Sequence, residues 1–197
     1  MKFVWCYWAG ASKGSELLYS MRSVESNFYG EAEIVLVGDC PSWYHGKHIP
    51  KSRIPCSCPR HAEKDWYSKI LKACYSLGVG EDFVLMKDNT YLLQGITAED
   101  IKEPRSFGIV TRDGVERLSV RSVEKSHKKE AFEAVGKELM HDYSGGLPLC
   151  IDPSKFVVME HTHNLLIDYR NWEIIYGNSN NGDPLPCRPF SERSRIP

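Results

Sequence analysis

Hydrophobic positions in the first ninety residues switch repeatedly between two periods. Lys2 to Trp8 (KFVWCYW) is a short β-branched and aromatic run bounded by Gly10 and Gly14, which predicts a strand followed by a turn. Leu17, Leu18, Met21, Val24 and Phe28 recur at steps of three and four, the spacing of an amphipathic helix over 16–28. Ser15 stands where its N-cap would be, and Gly30 lies just past its end. Ala32 to Val37 (AEIVLV) is continuously apolar, as a strand covered on both faces should be, and it ends in Gly38-Asp39. Cys40 to Pro59 reads as loop with room for a short strand. Asp65 to Leu77 is a second helix, with Trp66, Ile70, Ala73, Cys74 and Leu77 on one face. Phe83 to Met86 (FVLM) is a third buried strand, running straight into Lys87-Asp88-Asn89-Thr90. A β-α-β-α-β order predicts a mostly parallel sheet with helices packed on it.

The second half is less regular. Ser106 to Val110 reads as a strand, Arg112-Asp113-Gly114 as a hairpin-like turn, and Glu124 to Met140 as a helix with a charged outer face. Gly145-Gly146-Leu147-Pro148 breaks the pattern, Cys150-Ile151 and Lys155 to Met159 read as short strands, and Asn178 to Pro189 as a tail rich in Pro, Gly and Asn. The expected organisation is one domain over 1–197, with 1–93 as its ligand-binding half and 94–197 as the remainder.

Composition narrows the class. The 197 residues are 42% hydrophobic and 26% charged, enough apolar material for a packed core and too much for a disordered chain. Twenty-five basic against 26 acidic residues give a formal charge of -1, so no dominant polyanion-binding surface is written into the totals. No apolar run approaches the roughly 20 residues of a membrane span. Seven cysteines, an odd number with several inside apolar runs, and a start without a secretory signal pattern predict free thiols and a cytoplasmic location.

Parallel sheets gather ligands at the carboxyl ends of their strands, and three polar groups fall there: Trp8 to Gly14, Gly38-Asp39 and Asp88-Asn89-Thr90. Cys56-x-Cys58-x-x-His61 is a competing signal, since three zinc-type ligands in six residues, with Cys40 or His48 upstream, suit a structural metal site. Reduced loop cysteines explain the same residues. His161 and His163 alternate along a strand-like segment and would share a face, where His163 is a candidate metal ligand beside Asp88. The run Arg112, Arg117, Arg121, Lys125, His127, Lys128 and Lys129 is the one basic concentration. It would either track a phosphate backbone or form a solvated helix face diluted by Glu116, Glu124 and Glu130.

Two stretches together resemble a family. FVWCYWAG through SELLYSMRSVESNF to EIVLVGDCPSW, and KDWYSKILKACYSLGVGEDFVLMKDNTYLLQ, are similar to the nucleotide-binding half of small bacterial and phage GT-A-type glycosyltransferases. The similarity covers Lys2 to Leu93, with a weaker echo at 142–152 and 175–178. Those proteins end the third strand in an acidic pair; here Asp88 matches the first acid, Asn89 replaces the second, and Thr90 is the third position of a D-x-D count. The resemblance implies a Rossmann-like, three-layer α/β/α fold and a nucleotide-diphosphate sugar as donor. Trp8, Gly10, Asp39, Lys69, Asp88 and Asn89 would bind that donor, with Asp39 on the base or ribose and Lys69 reaching the diphosphate. Asp88, Thr90 and His163 would hold a Mn²⁺ or Mg²⁺ ion that neutralises the leaving diphosphate. Asp142, after a helix and before Gly145-Gly146, is the candidate base for an acceptor hydroxyl, the acceptor being a glycan, a small molecule or a nucleic acid. A sugar-phosphate transferase and a catalytically silent nucleotide- or sugar-binding protein fit the same residues, the latter favoured by the incomplete acidic motif.

Overall fold

The computed structural model describes residues 1–11, 15–55, 61–78, 80–118, 123–144, 148–182 and 184–186. The first half runs β1 (Lys2–Tyr7), α1 (Glu16–Asn27), β2 (Glu33–Gly38), β3 (Lys47–Pro50), α2 (His61–Leu77) and β4 (Phe83–Met86). The second half runs α3 (Ala98–Lys102), β5 (Arg105–Ser106), β6 (Ile109–Thr111), α4 (Arg112–Glu116), α5 (Val123–Val135), β7 (Leu139–His141), β8 (Leu149–Ile151), α6 (Pro153–His163), α7 (Trp172–Asn180) and β9 (Leu185–Pro186). Five strands form one sheet in the order β3-β2-β1-β4-β8. The first four are parallel, and β8 closes the β4 edge antiparallel, with Phe83 opposite Ile151.

The two-residue period of the strands sorts their side chains onto two faces. Phe3, Trp5, Leu36, Val84 and Met86 join Leu17, Met21 and Val24 of α1 in one buried cluster. Val4, Val35, Val37, Phe83 and Leu85 join α2, α6 and α7 in the other. Continuous apolar strands are what a sheet covered on both faces requires. An α/β protein with a mostly parallel five-stranded sheet is therefore the fold.

α1, β2 and β4 lie where the sequence pattern puts them. The 40–59 loop contains the short strand it had room for, β3. Two details differ at the edges: Ser15 makes no side-chain cap bond to α1, and α2 begins at His61 rather than Asp65. The second half departs further. Lys155 to Met159 is helical within α6, because Asp152 caps it by accepting from the Ser154 and Lys155 amides, with Pro153 at the first turn. His161 and His163 therefore lie on a helix, two residues and some 200° apart, and do not share a face. Arg112-Asp113-Gly114 opens α4, capped by the Thr111 hydroxyl, instead of turning a hairpin. The 106–110 segment divides between β5 and β6, and the predicted 124–140 helix is α5 followed by β7. α7 reaches Asn180, inside the predicted tail. Among the described residues no helix is long and apolar enough to cross a membrane, and Cys6, Cys40, Cys74 and Cys150 are free thiols. Cys56, Cys58 and Cys187 lie outside the described residues.

Gly38, the last residue of β2, has φ +113°, a conformation that disfavours a side chain. A Cβ there would lie 2.3 Å from the Tyr7 carbonyl oxygen and 2.8 Å from Lys69 Cε. Gly38→Ala is expected to destabilise the protein by about 1–3 kcal/mol, read as a lower urea midpoint.

Candidate functional site at the strand ends

Because β2 and β3 lie to one side of β1 and β4 to the other, the chain reverses its direction of winding between β1 and β4. In parallel sheets the crevice at such a switch point, at the carboxyl ends of the strands, is where ligands bind. Trp8 follows β1, Asp39 follows β2 and Lys87-Asp88 follows β4, so these residues leave the same edge of the sheet.

The loop after β1 is held by its neighbours. The Ala9 amide donates to Asp39 Oδ2 at 2.9 Å, and the Asp39 amide donates to the Tyr7 carbonyl at 3.2 Å. The Trp8 ring folds over Gly10, where a Cβ would lie 2.4 Å from Cζ2. One Asp39 oxygen thus orders the β1 loop, the contribution expected of a turn-forming carboxylate.

The segment after β4 is pinned by α1. Thr90 N donates to Lys87 O at 3.0 Å, closing a turn with Asp88 and Asn89 at its centre. Ser20 Oγ accepts from Trp5 Nε1 at 2.9 Å and reaches Thr90 O at 2.6 Å. Leu92 N donates to Ser23 Oγ at 3.0 Å, and Asn27 Nδ2 donates to Leu92 O at 2.7 Å. Ser20, Ser23 and Asn27, spaced by three and four on α1, form a polar seam that fixes the backbone carrying Asp88. Asp88 itself is half-buried, and Asn89 is exposed. Burial, then the nearby Glu16 carboxylate, pushes the Asp88 carboxyl above its ordinary range, partly offset by backbone amides. Tyr91 is pushed up by burial, Glu16 and Asp88 together. Glu16, at the start of α1, is thus a second acid beside Asp88 that no motif announced.

The second half reaches this edge through α7. Glu173 pairs with Lys87 at 3.0 Å, and the Lys87 ammonium lies 4.8 Å from the centroid of the Trp66 ring. Trp66 in turn meets Trp172 with ring centroids 5.5 Å apart.

Other expected members stand elsewhere. Lys69 is buried beneath Gly38, its ammonium 2.6 Å from Asp65 Oδ2, with the two side chains only 2% and 5% exposed. Asp65 Oδ1 also accepts from the Ile54 amide. Asp142 follows the small β6–β7 sheet, accepting from the Ser144 amide at 2.9 Å and facing Lys128 at 3.5 Å. His163 ends α6, where burial and then Arg170 push its imidazole below the usual range. Of the residues expected to hold a divalent cation, Asp88 and Thr90 follow β4 and His163 ends α6. Among the described residues no group of three or more His, Cys, Asp or Glu side chains is placed to hold a metal ion. His61, from the zinc-type motif, faces the Ile54 carbonyl through Nε2 and Arg53 through Nδ1. Cys40 donates to backbone carbonyls, and His48 Nε2 lies 2.8 Å from the Gly38 carbonyl. In the basic run, His127 is buried and Lys128 is the partner of Asp142.

A scan against protein-family models returns no match to this chain, and a search of curated proteins likewise finds no significant relative.

Proposed function

We propose that the chain is a small GT-A-like glycosyltransferase that takes a nucleotide-diphosphate sugar as donor. The observation that supports this reading is the meeting of Trp8, Asp39 and Asp88 at one strand-end edge, beside the switch point between β1 and β4. In this reading the Trp8–Gly10 loop and the free Asp39 oxygen face the nucleoside, and Asp88, with Glu16 behind it, faces the sugar-diphosphate end. Asp142 is the proposed base toward the acceptor, and α7, through Glu173 and Trp172, borders the acceptor side. The thin acidic motif supports a second reading, a protein of the same fold that captures a nucleotide or sugar without turning it over.

A thermal-shift panel of nucleoside diphosphates and their sugars, with and without Mn²⁺, tests the shared part of both. A ligand held only by the folded state at one hundred times its Kd should stabilise it by about 2.7 kcal/mol. Donor hydrolysis with product analysis then separates enzyme from binder. A flat panel would remove both readings.

A further inference from the structure

Arg53 is a cation at the strand-end edge. Arg53 lies between β3 and α2, its guanidinium carbon 3.4 Å from the centroid of the Trp8 ring. Arg53 Nη2 donates to His61 Nδ1 at 3.1 Å. Arginine only donates, so Nδ1 is the acceptor; the ring proton sits on Nε2, facing the Ile54 carbonyl, and the imidazole is neutral. Arg53 Nε is buried and has no hydrogen-bond partner among the described residues, and no carboxylate among them pairs with this arginine. Asp65 is taken by Lys69 and the Ile54 amide, and Asp39 holds the Ala9 amide through Oδ2. α2, 17 residues long, begins at His61, which brings the positive end of its dipole beside the guanidinium.

An unpaired buried N–H is costly in a finished structure, typically about 1–3 kcal/mol. Here it belongs to a group fixed on one face by an indole and along one edge by a neutral imidazole. Its conformational freedom is already lost, so a ligand would gain the interaction without ordering the side chain. A planar fork of N–H donors matches the oxygens of phosphate.

We propose that Arg53, stacked on Trp8 and held by His61, is a metal-independent binding site for a phosphate or diphosphate group. Assigning that group to a sugar donor rests on the transferase reading; anion capture by Arg53 does not. The site supplies fixed positive charge at an edge where the described residues include no group of three His, Cys, Asp or Glu placed to hold a metal ion.

The test titrates the protein in EDTA with inorganic pyrophosphate, inorganic phosphate and nucleoside diphosphates at matched ionic strength, by calorimetry and thermal shift. Pyrophosphate should bind the parent, and Arg53→Gln should weaken it roughly ten- to hundred-fold. Arg53→Lys, which keeps the charge but not the fork, should fall between. Should Arg53→Gln fail to fold, tryptophan emission decides: pyrophosphate should perturb it in the parent and not in Trp8→Phe. Absence of pyrophosphate binding to the parent in EDTA, equal binding by Arg53→Gln, or an unchanged response in Trp8→Phe would overturn the proposal. If pyrophosphate binds through Arg53 but no nucleotide binds more tightly, the anion site stands and the donor reading falls. If nucleotides bind only with Mn²⁺ and regardless of Arg53, the donor reading stands and the anion site falls.

Discussion

Lys69→Met is expected to lower the unfolding free energy by about 3–5 kcal/mol, the usual penalty for breaking a buried ion pair by removing one partner. The ammonium lies 2.6 Å from Asp65 Oδ2, and neither side chain is more than 5% exposed, so the stranded carboxylate would have little water to turn to. The double substitution Asp65→Leu with Lys69→Met should recover part of the loss, because apolar residues of similar volume often replace a buried pair without harm. It should not recover all of it, since the Ile54 amide would lose its acceptor, at about 1–3 kcal/mol. Urea unfolding followed by circular dichroism, with the slope checked for constancy, measures both. The same experiment separates two roles. A lysine that bound the donor diphosphate would give a variant that folds like the parent and binds donor poorly. One that holds the floor of the site gives a variant that unfolds early.

Under the proposed transferase reading, Asp88→Asn should do the opposite, reducing transfer by at least about 100-fold while leaving the protein as stable as before or more so. In the fold, burial and Glu16 hold the Asp88 carboxyl above its ordinary range. The folded state therefore binds that proton more readily than the unfolded chain. Its stability falls as pH rises from the unfolded to the folded value, and the penalty persists above both. At pH 7 the amide removes the penalty, so Asp88→Asn should melt at or above the parent temperature. The gain should vanish below about pH 4, where the carboxyl is protonated in both states. Melting curves from pH 3 to 8, set beside donor-hydrolysis rates, check both halves. A variant that melts lower at pH 7 would make Asp88 a structural residue, and one that retains full transfer would make it a turn residue.

The legible part of the molecule is the part where burial alone sets the pattern. β1, β2 and β4 carry nearly uninterrupted apolar runs, and α1 repeats its apolar residues at helical spacing, so each declared itself. The second half hides its elements behind caps. Lys-Phe-Val-Val-Met reads as a strand by β-branched content, yet Asp152 and Pro153 start a helix there, and that local start outweighs the strand propensity of two valines. The position of Trp8, Asp39 and Asp88 at one edge followed from strand order. Lys69, which the resemblance puts on the diphosphate, is buried against Asp65; Asp65 four residues before it was the available signal of a pair. Arg53 and Glu16 belong to no motif. They reach the edge through tertiary packing, one from a loop after β3 and the other from the start of α1, so sequence spacing carries no trace of them.

The antiparallel closure of the sheet has a consequence during synthesis. β4 ends at Met86, and the strand that covers its outer edge begins only at Leu149. At about 5–20 residues per second, a ribosome needs roughly 3–13 s to make the intervening chain. Throughout that interval the Phe83–Met86 strand would have paired with β1 on one side and have an unpaired, wholly apolar ladder on the other. Such an edge is a template for any other strand that finds it, including β4 of a neighbouring nascent chain. The yield of native protein in a cell would then depend on how fast translation passes residues 87–148, and on whether a chaperone holds the growing chain meanwhile.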